Sequence, residues 1–189
     1  MYVGRVGIKG VVCVVGGSDA TLEEATQERV LAQAKELGKR LAELQTAHLL
    51  TNGGSGVARA VSEGFYGVHP RGGIILAAVP KAKGSEGPND FVEIPLFTHL
   101  DGDNCSHVAV STADVVVALP GGDETLSEIE LATKAKNKYQ KPTVLFLADG
   151  EDTVGGKNIT ALKRGKYNVA ENIEDVVSFV SQALSTTGR

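Results

Sequence analysis

Uninterrupted apolar runs constrain the fold of this chain more strongly than any other feature. Three of them are "VVCVV" at residues 11–15, "IILAAV" at residues 74–79 and "VVVAL" at residues 115–119. A strand that is apolar at every position is typical of a parallel sheet, because helices cover such a sheet on both faces. The first and third runs, and a shorter one at residues 48–50, each lead through a Gly-rich turn toward a helical pattern. The order of elements therefore predicts an α/β fold.

Helical spacing of apolar residues identifies the other elements. The predicted helices cover residues 21–44, 57–66, 104–112, 125–138 and 173–184. Two further strands are predicted at residues 92–94 and 143–147. Crossovers between parallel strands are right-handed, so we expect a Rossmann-like, doubly wound parallel sheet in a three-layer α/β/α sandwich. It should contain at least five strands, with residues 11–15 and 115–119 central and adjacent.

Length and charge narrow the class of protein. The chain has 189 residues, of which 42% are hydrophobic, and residues 1–189 are expected to form a single domain with a sizeable core. A net charge of −4 argues against a nucleic-acid partner, which requires a basic surface. No apolar run approaches the roughly 20 residues that span a bilayer, and the N-terminus lacks a signal-peptide pattern. We expect a cytoplasmic protein with no membrane partner.

The two cysteines show no metal-binding or disulfide spacing. Cys13 lies in an apolar, strand-like run, and Cys105 lies in a polar, loop-like stretch. Neither belongs to a CxxC motif or has a histidine at metal spacing. The expectation is a pair of free thiols in a reducing compartment, and no metal site.

Three glycine-rich turns follow predicted strands, and the carboxyl ends of parallel strands are where such folds bind ligands. Glycine allows a phosphate to approach the backbone, and the following helix presents free N–H groups and a partial positive charge. Together the turns predict a phosphate-binding cleft. They comprise Gly16, Gly17 and Ser18; Gly53, Gly54, Ser55 and Gly56; and Pro120, Gly121 and Gly122.

Other nucleotide-binding and hydrolytic motifs do not match. A P-loop is excluded because no Gly-Lys-Ser/Thr triplet occurs, and "GGSGVA" departs from the dinucleotide-binding fingerprint. A serine hydrolase is excluded because no G-x-S-x-G elbow is present.

The segments "VVGGS", "TNGGSGVARAVSEG" and "ADVVVALPGGDETLSEIELA" resemble the Lonely Guy (LOG) and molybdenum-cofactor-carrier superfamily. "GPNDFVEIPLFTHLDGDN" is more similar to the carrier-like branch. The resemblance implies a Rossmann-like fold that assembles as a homodimer or higher oligomer. It also implies a small phosphorylated ligand, either a nucleotide monophosphate or a pterin phosphate such as the molybdenum cofactor. Helices beginning near residues 104 and 125 are implied to pack across the twofold axis.

The family signature, Pro-Gly-Gly-x-Gly-Thr-x-x-Glu, transfers to Pro120, Gly121, Gly122, Thr125 and Glu128. In hydrolytic members the turn glycines and the threonine hold a 5′-phosphate, and the glutamate acts at the N-glycosidic bond. The resemblance therefore implies that Glu128 is the catalytic residue if the protein is an enzyme.

Two positions depart from the hydrolytic pattern. The second-half glycine of the signature is Glu124, and a gapless count places Cys105 at the position of the family's active-site arginine. The neighbours Asn104, Ser106 and His107 are not arginine either. An arginine would clamp the phosphate and stabilise the departing base, and the loss of one such donor commonly costs about 10²–10³ in rate.

Structural roles for the same residues remain open. Glu124 could complement the dipole of its helix, Asp123 could be the N-cap, and Glu128 could be a second dipole partner. Arg59 and Arg71 could reach a phosphate, within one chain or across a dimer, or could serve as salt-bridge partners.

Three functional hypotheses follow. The favoured one is a carrier-like or sensor-like protein that binds a nucleotide or phosphorylated cofactor without efficient hydrolysis. The second is a phosphoribohydrolase that releases the free base and ribose 5-phosphate from a nucleoside 5′-monophosphate. The third is an interaction protein with a vestigial pocket.

Overall fold

A seven-stranded parallel sheet forms the centre of the protein. The computed structural model describes residues 10–22, 24–81, 87–133, 140–146, 153–154, 157–158 and 166–186. Its strands are β1 (Gly10–Val15), β2 (Ala47–Thr51), β3 (Ile75–Val79), β4 (Ile94–Phe97), β5 (Val115–Ala118), β6 (Thr143–Phe146), β7 (Thr153–Val154), β8 (Lys157–Asn158) and β9 (Asn168–Ala170). The sheet has the order β4-β3-β2-β1-β5-β6-β9, and β7 and β8 form a separate antiparallel pair.

Helices cover both faces of this sheet. They are α1 (Glu24–Glu43), α2 (Val57–Tyr66), α3 (Gly102–Thr112), α4 (Asp123–Thr133) and α5 (Ile173–Thr186). Residues of α1, α2 and α5 belong to one buried apolar cluster, and residues of α3 and α4 belong to the other. The predicted three-layer, Rossmann-like α/β sandwich is therefore confirmed.

The apolar residues of α1 show why the helix lies on the sheet. Val30, Ala34, Leu37 and Leu41 are separated by three or four residues, so they form one stripe, and all four are fully buried. Charged residues occupy the opposite face of the helix. Each helix that is patterned in this way must cover a sheet face, which is what produces the layers.

The site is positioned by the order of the central strands. β1 pairs with β2 on one side and with β5 on the other. Strands β2 to β4 are added on one side of β1 and the later strands on the other side, so the strand order reverses between β1 and β5. Ligands bind in the crevice outside the carboxyl ends of the strands at such a switch point. The predicted central and adjacent placement of residues 11–15 and 115–119 is confirmed.

The edge strands differ most from the prediction. The strand predicted at residues 92–94 is β4 at Ile94–Phe97, and β9 was not predicted. Both strands are short and largely exposed, so they lack the continuous apolar run by which the inner strands are recognised. Residues 134–138 of the predicted fourth helix and residue 147 of the sixth predicted strand lie outside the described residues.

Candidate functional site

The three glycine-rich turns meet at the carboxyl edge of the sheet. The Gly17 N–H donates to the Pro120 carbonyl oxygen at 3.0 Å, which joins the turns after β1 and β5. The Val57 N–H donates to the Gly17 carbonyl oxygen at 2.9 Å, which joins the turn after β1 to the start of α2. The turn after β1 is thus the central piece of a hydrogen-bonded assembly.

Close packing explains two of the glycines. A Cβ at Gly121 would lie 2.3 Å from Thr125 Oγ1 and 2.5 Å from the Gly17 nitrogen. Gly56 has a φ of 63°, and a Cβ there would lie 2.4 Å from the Gly17 carbonyl oxygen. A side chain does not fit at either position, so these two glycines are required for the packing of the turns whether or not a ligand is bound.

Several backbone donors of the first two turns already have partners within the chain. Thr21 Oγ1 accepts from the Ser18 N–H at 2.8 Å, and Asn52 Oδ1 accepts from the Gly54 N–H at 3.0 Å. The Gly53 N–H donates to Thr51 Oγ1 at 3.0 Å. These side-chain oxygens occupy donors that a phosphate oxygen would use. The available anion-binding end is therefore the first turn of α4, where helix geometry leaves N–H groups without a helical partner.

The loop before β4 closes over the second turn. The Asn89 side chain donates to the Gly53 and Gly54 carbonyl oxygens at 3.0 and 3.1 Å, and the Asn89 N–H donates to the Gly53 oxygen at 2.8 Å. This clamp fixes the position of the second turn relative to the sheet.

A small cavity of about 70 Å³ lies between the turns. It is lined by Gly16, Ser18, Thr21, Asn52, Gly54, Ser55, Gly122, Glu124 and Thr125. One water molecule occupies about 30 Å³ of liquid volume, so the cavity has room for a single functional group of a ligand.

An open groove of about 550 Å³ adjoins this cavity at the N-terminal ends of α3 and α4. Its lining residues are Asp101, Gly102, Asp103, Asp123, Glu124 and Ser127. Glu124 lines both spaces and lies between them. Among the described residues, no lysine or arginine lines either space. The site is therefore built from hydrogen-bonding groups and carboxylates.

Glu128 is buried between α3 and α4, with 6% of its surface exposed. The Ser106 hydroxyl donates to Glu128 Oε1 at 2.8 Å. Burial raises the pKa of Glu128 to about 7, the Ser106 hydrogen bond lowers it in part, and the charge of Glu124 raises it. Glu128 lines neither the cavity nor the groove, so it lies behind the site rather than within it.

Cys105 lies in α3, within the helix predicted at residues 104–112, and its burial corrects the expectation of a polar environment. Its thiol donates to the Ala78 carbonyl oxygen at 3.2 Å and accepts from the Thr98 hydroxyl at 3.6 Å. Burial raises the pKa of this thiol, and burial likewise raises that of Cys13. An arginine at position 105 would bury a guanidinium group against β3, so Cys105→Arg would destabilise the fold instead of restoring a catalytic cation.

Neither of the two arginines considered for phosphate binding lines the cavity or the groove. Arg71 Nη2 lies 2.7 Å from Glu93 Oε1, and the guanidinium lies 5.1 Å from the centroid of the Tyr66 ring. Arg71 precedes β3 and so lies at the amino edge of the sheet, away from the cleft. The guanidinium of Arg59 lies 5.8 Å from the ring centroid of Phe91.

The cavity brings together six of the predicted ligand-binding residues, Gly16, Ser18, Gly54, Ser55, Gly122 and Thr125. Gly17, Gly53, Gly56, Pro120, Gly121, Cys105 and Glu128 line neither space. Asp123 is the first residue of α4 rather than its N-cap.

Sequence reasoning missed Thr21 and Asn52, which line the cavity, and Ser106, which bonds to Glu128. It also missed the polar residues of the groove, Asp101, Asp103 and Ser127. Asn52 stands directly before a glycine pair in "TNGGSG", which is a position where side chains commonly bond to turn backbone. Thr21 follows Ser18 by three residues, which is hydroxyl-turn spacing. Ser106 carries no local signal, because its partner is 22 residues away.

The fold and site define a Rossmann-like α/β protein with a ligand cleft at the switch point of its sheet. A family model, described as the SLOG cluster4 family, matches residues 9–177, and the chain belongs to that family. The chain is also similar to an uncharacterized protein of Archaeoglobus fulgidus, with 33% identity over 115 residues, which cover 60% of this chain and 72% of that protein.

The structure of this chain is similar to those of several proteins of known structure. The molybdenum cofactor carrier protein of Chlamydomonas reinhardtii is 28% identical with a TM-score of 0.70, covering 94% of this chain and 99% of that chain. DNA processing protein A of Helicobacter pylori, which binds single-stranded DNA, is 14% identical with a TM-score of 0.61. That comparison covers 97% of this chain and 85% of the Helicobacter chain, and it supports the fold alone.

Within the described part of the chain, no helix is both long and apolar enough to cross a bilayer. No group of three or more His, Cys, Asp or Glu side chains there is arranged to hold a metal ion.

Proposed function

We propose that this protein binds a nucleotide or another phosphorylated, pterin-like cofactor as a carrier or sensor, without efficient hydrolysis. The observation that carries the proposal is the convergence of three glycine-rich turns and the start of α4 on one cavity. The likeness to a molybdenum cofactor carrier protein, which extends over nearly the whole chain, supports the same class of ligand. The molybdenum cofactor itself is here a cargo, and a small homo-oligomer is the proposed assembly.

The two spaces suit two parts of such a ligand. The cavity of about 70 Å³ is large enough for a phosphate-sized group at the N-terminal end of α4. The groove presents Asp103 and Asp123, whose carboxylates are acceptors suited to the N–H groups of a purine or pterin ring. Asp101 also lines the groove, but its two carboxylate oxygens already accept from the backbone and side-chain N–H groups of Asn104 at 2.9 and 3.1 Å. The acceptors of Asp103 and Asp123 suit the organic part of a molybdenum cofactor or of a nucleotide.

Binding is expected to be weak at the phosphate end. A phosphate clamp normally includes an arginine or a lysine, and no such residue lines the described cavity or groove. Glu124 lies at the junction of the two spaces and opposes a dianion. A single substitution at Glu124 removes this charge, so its effect on binding can be measured directly.

The first test measures AMP binding by calorimetry for the wild type, Glu124→Gln and Glu124→Gly. Glu124 is exposed, so water screens its charge, and removing it should tighten binding by about 1 kcal/mol, or roughly 5-fold in Kd. Glu130→Gln, on the same helix but outside the site, should leave Kd unchanged. Equal or weaker binding in both Glu124 variants would show that Glu124 does not oppose the ligand. Absence of any binding, with no ligand in native mass spectra of the purified protein, would favour the interaction-protein hypothesis.

Hydrolysis of the N-glycosidic bond is the second candidate function, and one observation favours it. A carboxyl group with a pKa of about 7 suits a general acid, and Glu128 has such a pKa at the family position. Chromatography of AMP incubated with the purified protein tests this candidate. We expect little or no free adenine, because Glu128 does not line the cavity and, within the described residues, no lysine or arginine lines it either. Turnover in the range of about 1–10³ s⁻¹ typical of enzymes, lost in Glu128→Gln, would establish the hydrolase instead.

A further inference from the structure

Asn89 holds the second glycine-rich turn without lining the cavity itself. Its side-chain amide donates to the Gly53 and Gly54 carbonyl oxygens at 3.0 and 3.1 Å, and its backbone N–H donates to the Gly53 oxygen at 2.8 Å. Gly54 lines the cavity, whereas Asn89 does not. Any effect of Asn89 on a ligand in the cavity must therefore pass through the backbone of this turn.

The direction of the two carbonyl groups determines where the N–H groups of the turn point. The carbonyl and the N–H of one trans peptide unit point in opposite directions. In the unit between Gly53 and Gly54, the carbonyl accepts from Asn89, and the N–H donates at 3.0 Å to Oδ1 of Asn52, which lines the cavity. The carbonyl of the next unit also accepts from Asn89. The N–H of that unit belongs to Ser55, so it is directed away from Asn89.

The Ser55 N–H is available to a ligand. The N–H groups of Gly53 and Gly54 donate to the side chains of Thr51 and Asn52. The N–H of Ser55 has no hydrogen-bond partner within the described part of the chain, and Ser55 lines the cavity. The second turn therefore retains a backbone donor at the cavity, in addition to the donors of α4.

The orientation of the Asn89 side chain is fixed by its own loop. Its Oδ1 accepts from the Phe91 N–H at 3.2 Å, so its amide N–H groups face the turn. The Phe91 ring is held against α2, because the Arg59 guanidinium lies 5.8 Å from its centroid and the Tyr66 ring centroid lies 5.9 Å from it. The loop is thus anchored on the helix into which the second turn leads.

We propose that Asn89 is a positioning residue of the cleft, which directs the Ser55 N–H at the anionic group of the ligand. This inference rests on the proposed binding of a phosphorylated ligand. Without Asn89, the peptide unit between Gly54 and Ser55 could rotate, since glycine permits a wide range of backbone angles, and its carbonyl oxygen would then face the anion. Among the described residues no lysine or arginine lines the cavity, so the binding of an anion there depends on such backbone donors.

Calorimetric titration of the full chain with AMP compares the wild type, Asn89→Ala and Asn172→Ala. Asn89→Ala should raise the Kd about 5-fold, which corresponds to the loss of one hydrogen bond to the ligand. Asn172→Ala is the matched control. Asn172 also bonds through both ends of its side-chain amide, to Asp175 in the first turn of α5. Its replacement removes the same side chain away from the cavity, so the Kd should stay unchanged.

The backbone amide resonances of Ser55 and Thr125 separate a positioning role from a general loss of stability. In NMR spectra of the wild type, AMP should shift both resonances. In Asn89→Ala, saturating AMP should still shift the Thr125 resonance, whereas the shift at Ser55 should fall to half or less. A variant that is merely less stable would show both shifts in full at saturation.

Two outcomes would overturn this inference and leave the proposed function in place. One is normal AMP binding by Asn89→Ala, and the other is a wild-type Ser55 resonance that AMP does not shift while that of Thr125 moves. A wild type that binds no AMP would overturn the proposed function together with the inference. Circular dichroism establishes that each variant is folded. If Asn89→Ala unfolds, Asn89→Ser replaces it with the same expected result, because serine keeps an oxygen for the Phe91 N–H but has one donor for the two carbonyl groups.

Discussion

At the scale of single residues, Glu128 is the group whose environment differs most from what its position along the chain indicates. From the sequence, a glutamate near the start of a helix is expected to be a dipole partner, and the resemblance to the family implies a catalytic residue. In the folded protein it is buried behind the site and accepts a hydrogen bond from Ser106. Its chemistry is set by burial, which favours the protonated form near neutral pH.

Glu128 should make the protein less stable as the pH rises. Its pKa is about 7 in the folded protein against 4.5 as the reference value, so the folded state binds more protons between these two values. The stability it contributes is fully present below about pH 4.5 and is lost as the pH rises through 7. Glu128→Gln should therefore raise the free energy of unfolding at pH 8, by up to about 3 kcal/mol relative to its effect at low pH.

Urea unfolding of the wild type and Glu128→Gln at pH 5 and pH 8 measures this difference. Glu130→Gln, on the same helix, controls for the loss of any one carboxylate from α4. A Glu128→Gln variant with the same pH dependence as the wild type would mean that Glu128 is charged and solvated in the folded protein.

At the scale of elements, the glycine-rich turns serve the fold as well as a ligand. Gly17 bonds to the turn after β5 through its N–H and to the start of α2 through its carbonyl oxygen. The "GG" pattern predicts a phosphate-binding turn, but close packing of three chain segments requires the same glycines. Thr21 and Asn52 complete this arrangement by accepting from turn N–H groups.

Gly56→Ala should be strongly destabilising for this reason. Its φ of 63° and the 2.4 Å approach of a Cβ to the Gly17 carbonyl oxygen both oppose a side chain. We expect a loss of about 1–3 kcal/mol in the free energy of unfolding from the backbone strain alone. Gly67→Ala is the control, because Gly67 has right-handed backbone angles and the nearest atom to a Cβ there is 3.5 Å away. If the two variants were equally stable in urea, the close packing of the turns would be wrong.

At the scale of the whole molecule, four carboxylates gather on one side. Asp101, Asp103, Asp123 and Glu124 line the groove at the N-terminal ends of α3 and α4, and no described lysine or arginine lines it. The local field of these carboxylates favours groups that carry N–H donors over anions.

The sequence alone determined the class of fold, because the spacing of apolar residues within a segment indicates whether it is a buried strand or a helix with one buried face. The inner strands and all five described helices were recognisable in this way, and the central pairing of β1 with β5 followed from their apolar character. It also determined which turns lie at the carboxyl edge, since a parallel sheet brings the ends of its strands to one side.

Tertiary structure alone decided which side chains are in contact, because contacts between distant segments cannot be predicted from the spacing of residues within one segment. Ser106 and Glu128 are 22 residues apart, and Gly17 and Pro120 are joined from opposite halves of the chain. Cys105 stands at the family arginine position by counting, yet the rotation of α3 directs its side chain to β3 and away from the cleft. Spacing along a helix tells which residues share a face, and only packing tells what that face contacts.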